Sequence, residues 1–272
     1  MRLGVARYFT DYDSPEAWVD LVKKAGHRAA VAPVDETAAD DVVAAYRKAA
    51  EANDIVIAEV GVWKNTCSDD EAVRKANMAI AKAKLHLADR IGARCAVNIV
   101  GERTKRGAAD DLTEEAFERA VEVVREILDD VQPQRARYCL ETMPYMLPDS
   151  VEMYERMRLA IDRPGFGVHC DPANFLHSPR NYHASGAIIR HFFEVLGPHI
   201  LSCHAKDVVL NPALLVRFEE VAPGQGGQDW RTYVREINRL DPEMPLIIEH
   251  LRTDEAYADA TAYLRGIEAE AG

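Results

Sequence analysis

Short strand-forming segments alternate with helical segments eight times along this chain of 272 residues. Each apolar run is brief and rich in strand formers, and a stretch with helical spacing follows it. Parallel strands joined by helices form a closed barrel or an open doubly wound sheet, and eight regular units in about 250 residues favour the barrel. The sequence therefore predicts an α/β fold, a (β/α)8 TIM barrel, with residues 1–272 as a single domain. The predicted pairs of strand and helix are 3–9 and 14–26, 27–34 and 38–52, 55–63 and 69–91, 94–101 and 113–130, 136–143 and 149–161, 166–174 and 184–196, 199–207 and 230–240, and 245–251 and 254–268.

Two local features support this division of the chain. Ser14, Pro15 and Glu16 form the capping and first-turn pattern with which helices begin. The stretch from Val208 to Asp229 is predicted to be a loop between the seventh strand and its helix, with the sequence PGQGG near its end. Loops of this length in compact domains are usually functional.

The composition limits the classes of partner. The formal net charge of −12 disfavours nucleic acid and anionic membrane surfaces. No apolar stretch approaches the roughly 20 residues of a membrane span, and Met1 and Arg2 lead directly into the first strand without a signal peptide. Five cysteines without a CxxC pair indicate reduced thiols. We expect a cytoplasmic protein, with the number of subunits left open and a homo-oligomer among the alternatives.

Four residues that can bind a metal end the fifth to eighth predicted strands: Glu141, Asp171, His204 and Glu249. All strands of a parallel barrel point the same way, so their C-terminal ends share one mouth, where barrel enzymes have their active sites. Three carboxylates and one imidazole form a mostly hard donor set. The sequence therefore predicts one divalent ion, with Mn²⁺ preferred and Co²⁺, Mg²⁺ or Zn²⁺ as alternatives.

Two further residues are candidates for proton transfer, because residues two apart on a strand face the same way. Lys206 shares the face of His204 and could polarise a carbonyl or carry a proton; the alternative is a structural salt bridge with Glu249 or Asp171. His169 shares the face of Asp171 and could be a proton carrier or a hydroxyl partner; the alternative is a hydrogen-bonded histidine that supports the ligands.

Four other residues are candidates for substrate binding. Glu59 and Trp63 lie four apart on the third strand, beside Gly61, where a carboxylate and an indole would suit a carbohydrate; the alternative is a core tryptophan and a locally satisfied acid. Asn174 could fix its loop or contact a sugar hydroxyl. Arg180 could bind a phosphate or carboxylate through two hydrogen bonds, or pair with the acidic surface.

Five short motifs occur in a fixed order along the chain, at most one per predicted loop or strand end: ETM at 141–143, DPAN at 171–174, HAKD at 204–207, PGQG at 223–226 and IEH at 248–250. With these motifs the chain resembles the xylose isomerase-like barrels, a family of sugar isomerases, ketose 3-epimerases, inosose dehydratases and endonuclease IV repair enzymes. This resemblance implies that Glu141, Asp171, His204 and Glu249 bind the metal. It also implies that Glu141 and Glu249 carry protons on opposite faces of a sugar carbon.

Departures from the family patterns limit the functional prediction. Ketose 3-epimerases usually have a histidine where this chain has Asn174 and a second glutamate where it has Leu147. Endonuclease IV needs further metal ligands and a basic face for DNA, which this acidic chain does not show. We therefore expect a divalent-metal-dependent sugar isomerase or epimerase that acts through an enediolate. One alternative is a dehydratase or decarboxylase of an oxidised sugar or cyclitol, and another is a non-catalytic sugar-binding barrel.

Overall fold

Eight parallel strands form one sheet that curls into a barrel in the structure, a computed structural model that describes residues 1–6 and 12–271. The described residues contain ten strands, of which β8 and β9 lie outside the barrel: β1 Arg2–Val5, β2 Ala29–Val31, β3 Val56–Gly61, β4 Cys95–Asn98, β5 Arg137–Leu140, β6 Phe166–Cys170, β7 Ile200–Ala205, β8 Asp207–Asn211, β9 Arg217–Val221 and β10 Pro245–Ile248. The order in the barrel sheet is β1-β10-β7-β6-β5-β4-β3-β2. The two end strands, β1 and β2, meet at a seam where Arg28 N donates to Leu3 O at 3.0 Å. This arrangement confirms the predicted (β/α)8 barrel.

Helices connect the barrel strands and cover the outside of the sheet. Their start signals are local: Ser14 accepts a hydrogen bond from Ala17 N at 3.2 Å, as the sequence predicts. Among the described residues, the helices are α1 Pro15–Lys24, α2 Asp40–Ala52, α3 Glu71–Ile91, α4 Glu114–Val131, α5 Val151–Ile161, α6 Pro179–His183, α7 Ser185–Leu196, α8 Trp230–Leu240 and α9 Asp254–Ala271.

The core consists of an outer layer between strands and helices and a narrow lumen. Large apolar side chains such as Leu85, Ile127 and Phe192 fill the outer layer and are fully buried. At Gly4, an added Cβ would lie 2.3 Å from Ala29 O, so β1 can approach β2 only with glycine at this position.

The seventh unit differs from the prediction. The stretch from Val208 to Asp229 contains the antiparallel hairpin β8/β9 rather than an unstructured loop. Asp207, the first residue of β8, stabilises the hairpin: its carboxylate accepts hydrogen bonds from the backbone N–H groups of Val208, Gly224 and Gln228 and from Trp230 Nε1. Apart from Val208 these partners are distant in sequence, which is why the alternation of strands and helices did not reveal the hairpin.

Two further details differ from the prediction, and one part of it cannot be compared. The short helix α6 precedes α7, begun by the Ser178 cap and Pro179 that repeat the pattern at the start of α1. Strand β3 ends at Gly61, so Trp63 lies beyond it. Part of the predicted first strand, residues 7–9, lies outside the described residues.

None of the described helices is both long and apolar enough to span a membrane. All five cysteines are buried and carry free thiols.

Candidate functional site

The four predicted metal ligands converge at the C-terminal mouth of the barrel. Glu141, Asp171 and Glu249 each follow directly on a strand, and His204 lies near the end of β7. Their ligand atoms all lie within 4.8 Å of one another, and all four side chains are buried. Strand ends therefore position the whole set, as the sequence predicts, while metal binding itself stays a prediction.

The Lys206 ammonium lies among these carboxylates. Its Nζ is 2.7 Å from Asp171 Oδ2, 3.0 Å from Glu249 Oε1 and 3.7 Å from Glu141 Oε1. The structural alternative stated for Lys206, an ion pair with Glu249 or Asp171, is therefore present with both residues. Its proposed role in proton transfer remains a prediction.

The electrostatics of the cluster match a site for a cation. Burial opposes ionisation of Glu141, yet Lys206 and His204 lower its pKa to about 2. Asp171 shows the opposite balance: burial, together with the Glu141 and Glu249 carboxylates, raises its pKa to about 7 in spite of Lys206. Although burial favours the neutral imidazole, Glu249 and Glu59 hold the pKa of His204 well above its ordinary value.

The donor set fits a divalent ion. The three ligand carboxylates share the single ammonium of Lys206 in the described part of the chain, and the raised pKa of Asp171 shows how costly full ionisation is with that one ammonium. Oxygen-rich sets of this kind suit Mn²⁺, Mg²⁺ or Co²⁺. Glu141, Asp171, His204 and Glu249 are the residues that would hold the ion.

Asn174 orients two of the ligands. Its Nδ2 donates to Thr142 O at 2.7 Å and to Asp171 Oδ2 at 3.0 Å, and it lies 3.3 Å from Glu141 Oε1. The amide hydrogens are therefore directed at the loop and the carboxylates. This matches the loop-fixing alternative for Asn174, while a sugar contact through this residue stays a prediction.

A second polar cluster lies in the lumen beneath the ligands. Glu59 contacts His204 Nε2 at 3.0 Å and accepts a hydrogen bond from Ser202 Oγ at 2.9 Å. His169 packs edge-on against the His204 ring, with centroids 4.1 Å apart, and its Nε2 is 3.5 Å from Glu59 Oε2. His169 is fully buried, and neither of its ring nitrogens has a hydrogen-bond partner among the described residues. It does not line the cavity above, so its predicted proton-transfer role is not tested by this placement.

A cavity of about 340 Å³ opens above the ligands. Carboxylates, two imidazoles and the Arg106 guanidinium form its polar part, and apolar and aromatic side chains form much of the rest. Its lining residues are Ala6, Val31, Glu59, Gly61, Trp63, Ile99, Arg106, Glu141, Met143, Tyr145, His204, Glu249 and His250.

Trp63 forms one wall of this cavity. Its backbone has φ of 51°, in the left-handed region, and its ring centroid lies 6.3 Å from that of His204. An added Cβ at Gly61 would lie 2.2 Å from Trp63 Nε1, so the indole folds back against a position that only glycine leaves free. His250 also lines the cavity with positive φ, at 59°. Such backbone strain in non-glycine residues is concentrated at functional sites.

Arg180 lies apart from this cavity. It is exposed on α6 and is not among the residues that line the cavity. Its predicted contact with an anionic substrate group remains untested.

Sequence reasoning missed three residues near the site. Ser202 was detectable, because it lies two positions before His204 and so shares its face. Tyr145 follows the ETM motif, and Arg106 belongs to the segment between β4 and α4. The Arg106 guanidinium lies 5.3 Å from the Tyr145 ring centroid. Nothing in their local pattern shows that these two residues reach the mouth.

A comparison with protein families gives a match over most of the chain. The family model for the xylose isomerase-like TIM barrel matches residues 19–267. The chain belongs to this family. No curated protein is significantly similar to the sequence.

Solved structures show how widely this xylose isomerase-like fold is used. D-psicose 3-epimerase from Clostridium cellulolyticum is 14% identical with a TM-score of 0.72, over 100% of this chain and 99% of that one. Endonuclease IV from Thermus thermophilus is 16% identical with a TM-score of 0.75, over 99% and 100%. A xylose isomerase-like TIM barrel protein from Mycobacterium smegmatis, in complex with magnesium, is 15% identical with a TM-score of 0.67, over 96% and 91%. At these identities the likeness establishes the fold, in a family whose similar structures include several sugar epimerases.

Proposed function

We propose that this xylose isomerase-like barrel is a divalent-metal-dependent isomerase or epimerase of a small sugar or sugar derivative, with Mn²⁺ as the preferred ion. The observation that carries the proposal is the convergence of Glu141, Asp171, His204 and Glu249 on one point beneath a cavity with an indole wall. A small carbohydrate is the partner that this combination of oxygen-rich floor and aromatic wall suits.

The cavity has the dimensions and surface for a monosaccharide. Its volume of about 340 Å³ is at the lower end of the roughly 300–1,000 Å³ typical of ligand pockets. A sugar could direct its hydroxyl oxygens to the carboxylate floor while its C–H surface contacts Trp63, Ile99 and Met143. A flat apolar ligand would leave the floor carboxylates without polar partners, which is unfavourable.

The proton transfer is assigned to Glu141 and Glu249. A bound divalent ion would hold two neighbouring sugar oxygens and stabilise the negative charge of an enediolate. Burial opposes their ionisation, but Lys206 and His204 keep the pKa of both glutamates below the ordinary value. Both are therefore ionised at neutral pH, and one can remove the proton that is later returned to the same or the neighbouring carbon. Lys206, 3.0 Å from Glu249, could donate a hydrogen bond to the carbonyl oxygen.

A lyase reaction is the second candidate, because two residues typical of ketose 3-epimerases are replaced in this chain. The position of the usual ketose 3-epimerase histidine is Asn174, whose amide is directed at Asp171 and Thr142. The position of the second glutamate is Leu147, which is buried in the core. Without those contacts, the enediolate of an oxidised sugar or cyclitol could instead expel a neighbouring hydroxyl, which takes up a proton and leaves as water. In a decarboxylase, loss of CO₂ from a β-keto acid would form the enediolate, which is then protonated on carbon. A non-catalytic sugar-binding barrel is the third alternative.

Incubation with candidate sugars in D₂O separates these reactions. Deuterium incorporation at a sugar carbon, with an isomeric product, is the result expected for an isomerase or epimerase. An unsaturated or shortened product identifies the lyase. Binding without either change, in the presence of Mn²⁺, would overturn the proposal in favour of a binding protein.

The charge of the substrate can be tested separately. The floor of the cavity is made of carboxylates, Arg106 in its wall is paired with Glu102, and Arg180 lies outside it, so we propose a neutral sugar. Inorganic phosphate should then not compete with the substrate. Strong competition would implicate a phosphorylated substrate held by Arg106, Arg180 or Lys206.

The remaining proposals concern the whole protein. We propose that residues 1–272 act as one domain, and that the protein is cytoplasmic, consistent with its five buried free thiols. Assembly into a homo-oligomer is also compatible with this site, which lies at the mouth of one barrel.

A further inference from the structure

The carboxylate of Glu59 reaches across the barrel lumen to the strand that bears a metal ligand. Glu59 lies on β3, and three strands separate β3 from β7 in the sheet order. Its Oε1 is nevertheless 3.0 Å from His204 Nε2, and its Oε2 accepts the hydrogen bond from Ser202 Oγ. Both oxygens are thus directed at β7, and only 1% of the residue's surface is exposed.

These contacts decide which nitrogen of His204 is available to a metal. An ionised carboxylate only accepts hydrogen bonds, so the Nε2 atom that faces Glu59 must carry a proton. The other nitrogen, Nδ1, lies 3.0 Å from Glu249 Oε2 and 3.4 Å from Glu141 Oε1. Nδ1 therefore faces the other ligands, while Nε2 points away from them into the lumen.

We propose that Glu59 is a positioning residue for the metal centre: it holds the Nε2–H of His204 and so presents the Nδ1 lone pair to the ion. This inference rests on the proposed function, because it assumes that the ligand set binds a divalent metal. It replaces the sugar contact expected for Glu59 with an action through His204. The edge of His169 against the imidazole keeps the ring from rotating away from this position.

The first test is the affinity for Mn²⁺, measured by calorimetry on the full-length protein. Glu59→Gln keeps the size of the side chain but removes the charge that requires a proton on Nε2. We expect the dissociation constant to rise about 10- to 100-fold, the usual effect of losing a hydrogen-bond partner of a metal-binding histidine. Glu236→Gln is the matched control: it also removes the charge of a buried glutamate, one that pairs with Arg239 on α8 outside the site, and it should leave the affinity unchanged.

The second test reads the protonation of His204 directly and does not depend on a variant that folds. In ¹⁵N-labelled wild-type protein with Mg²⁺, long-range proton–nitrogen spectra should show His204 with its hydrogen on Nε2 alone. A hydrogen on Nδ1 would overturn the proposal.

The outcomes distinguish this inference from the proposed function. Equal Mn²⁺ affinity in wild type and Glu59→Gln would overturn the role of Glu59 and leave the metal enzyme standing. A wild-type protein that binds no divalent ion would overturn the proposed function and, with it, any action of Glu59 on a metal. An equal loss of affinity in Glu236→Gln would also overturn the inference, because a general disturbance of the fold would then explain both results.

Discussion

Single residues at the mouth of this barrel carry its proposed chemistry, and the sequence alone was enough to select four of them. Glu141, Asp171, His204 and Glu249 could be selected because each ends a strand of a parallel barrel, where geometry alone brings them together. Glu59 was also selected, as a candidate for substrate binding, but its proposed action on His204 could not be predicted. Its partner lies 145 positions away on β7, and no local pattern encodes a contact across the lumen.

Removal of one ligand carboxylate should empty the metal site. Purified wild-type protein should contain about one equivalent of a divalent ion, and Glu249→Gln should lose most of it, because a neutral amide is a poor ligand for hard cations. Elemental analysis after dialysis measures this. Glu236→Gln, a buried glutamate on α8 that pairs with Arg239, is the control and should keep its metal. Unchanged occupancy in Glu249→Gln would contradict the assigned site.

Gly61→Ala should weaken substrate binding without unfolding the protein. The new Cβ would lie 2.2 Å from Trp63 Nε1, so the indole must leave its place in the cavity wall. Loss of a ring contact worth about 1 kcal/mol or slightly more corresponds to a KM that rises roughly five- to tenfold. Steady-state kinetics on the substrate found in D₂O would show this.

The matched control for Gly61→Ala is Gly266→Ala. An added Cβ at Gly266, within α9, meets nothing within 4 Å. This change should leave KM unaltered and stabilise the helix by about 0.5–1 kcal/mol. If Gly61→Ala had the KM of wild type, Trp63 would not be part of the substrate site.

At the level of helices and strands, the prediction succeeded where local signals were strong. The caps at Ser14 and Thr113 begin helices within one residue of the predicted positions. The β8/β9 hairpin was missed, because its stability depends on the buried Asp207 and on Trp230, which lies on another element. The contact between α9 and the start of β2 was likewise invisible in the sequence.

The burial of His27 against α9 should make the stability of the protein depend on pH. His27 is buried against α9, where its Nε2 is 3.0 Å from Thr261 Oγ1, a hydroxyl that donates to Tyr257 O. Burial, with a smaller effect of Arg265, lowers the pKa of His27 to about 4. The unfolded chain therefore binds a proton more readily than the folded one between pH 6.5 and 4. The contribution of neutral His27 to the free energy of unfolding is therefore fully present above about pH 6.5. It is lost as the pH falls towards and below 4, and the total loss is about 3 kcal/mol.

Urea denaturation at pH 7 and pH 4.5 tests this. His27→Gln should lose less stability than wild type between the two values, because glutamine does not titrate. His86→Gln, at an exposed position of α3, should retain the wild-type difference. A His27→Gln protein with the same pH dependence as wild type would contradict the assignment.

For the whole molecule, the sequence predicted the architecture, because eight alternating units leave few topologies. Apart from Trp63, the walls of the cavity could not be predicted from the sequence. Arg106 and Tyr145 come from segments that follow different strands and meet only in the folded barrel. Residues on loops are placed by the scaffold, whereas residues at strand ends are placed by their own position in the chain.

The net charge of the molecule predicts a difference from endonuclease IV, in spite of the TM-score of 0.75. A chain with a formal net charge of −12 repels the phosphate backbone. We expect neither retention nor cleavage of duplex DNA with an abasic site, even at about 50 mM salt, in gel assays with Mn²⁺ or Zn²⁺. The Thermus thermophilus enzyme serves as positive control. Cleavage that disappears in Glu249→Gln would contradict this expectation.

The two halves of the barrel contribute unequally to the site. The ligands come from the ends of β5, β6, β7 and β10, whereas Ala6, Val31, Trp63 and Ile99 follow or belong to β1, β2, β3 and β4. Sequence changes in the first half can thus alter which molecule fits while the second half keeps its ligands. Substrate preference can therefore diverge, or be engineered, through residues of β1 to β4 and the segments that follow them, Glu59 excepted, without a change to the proposed metal ligands.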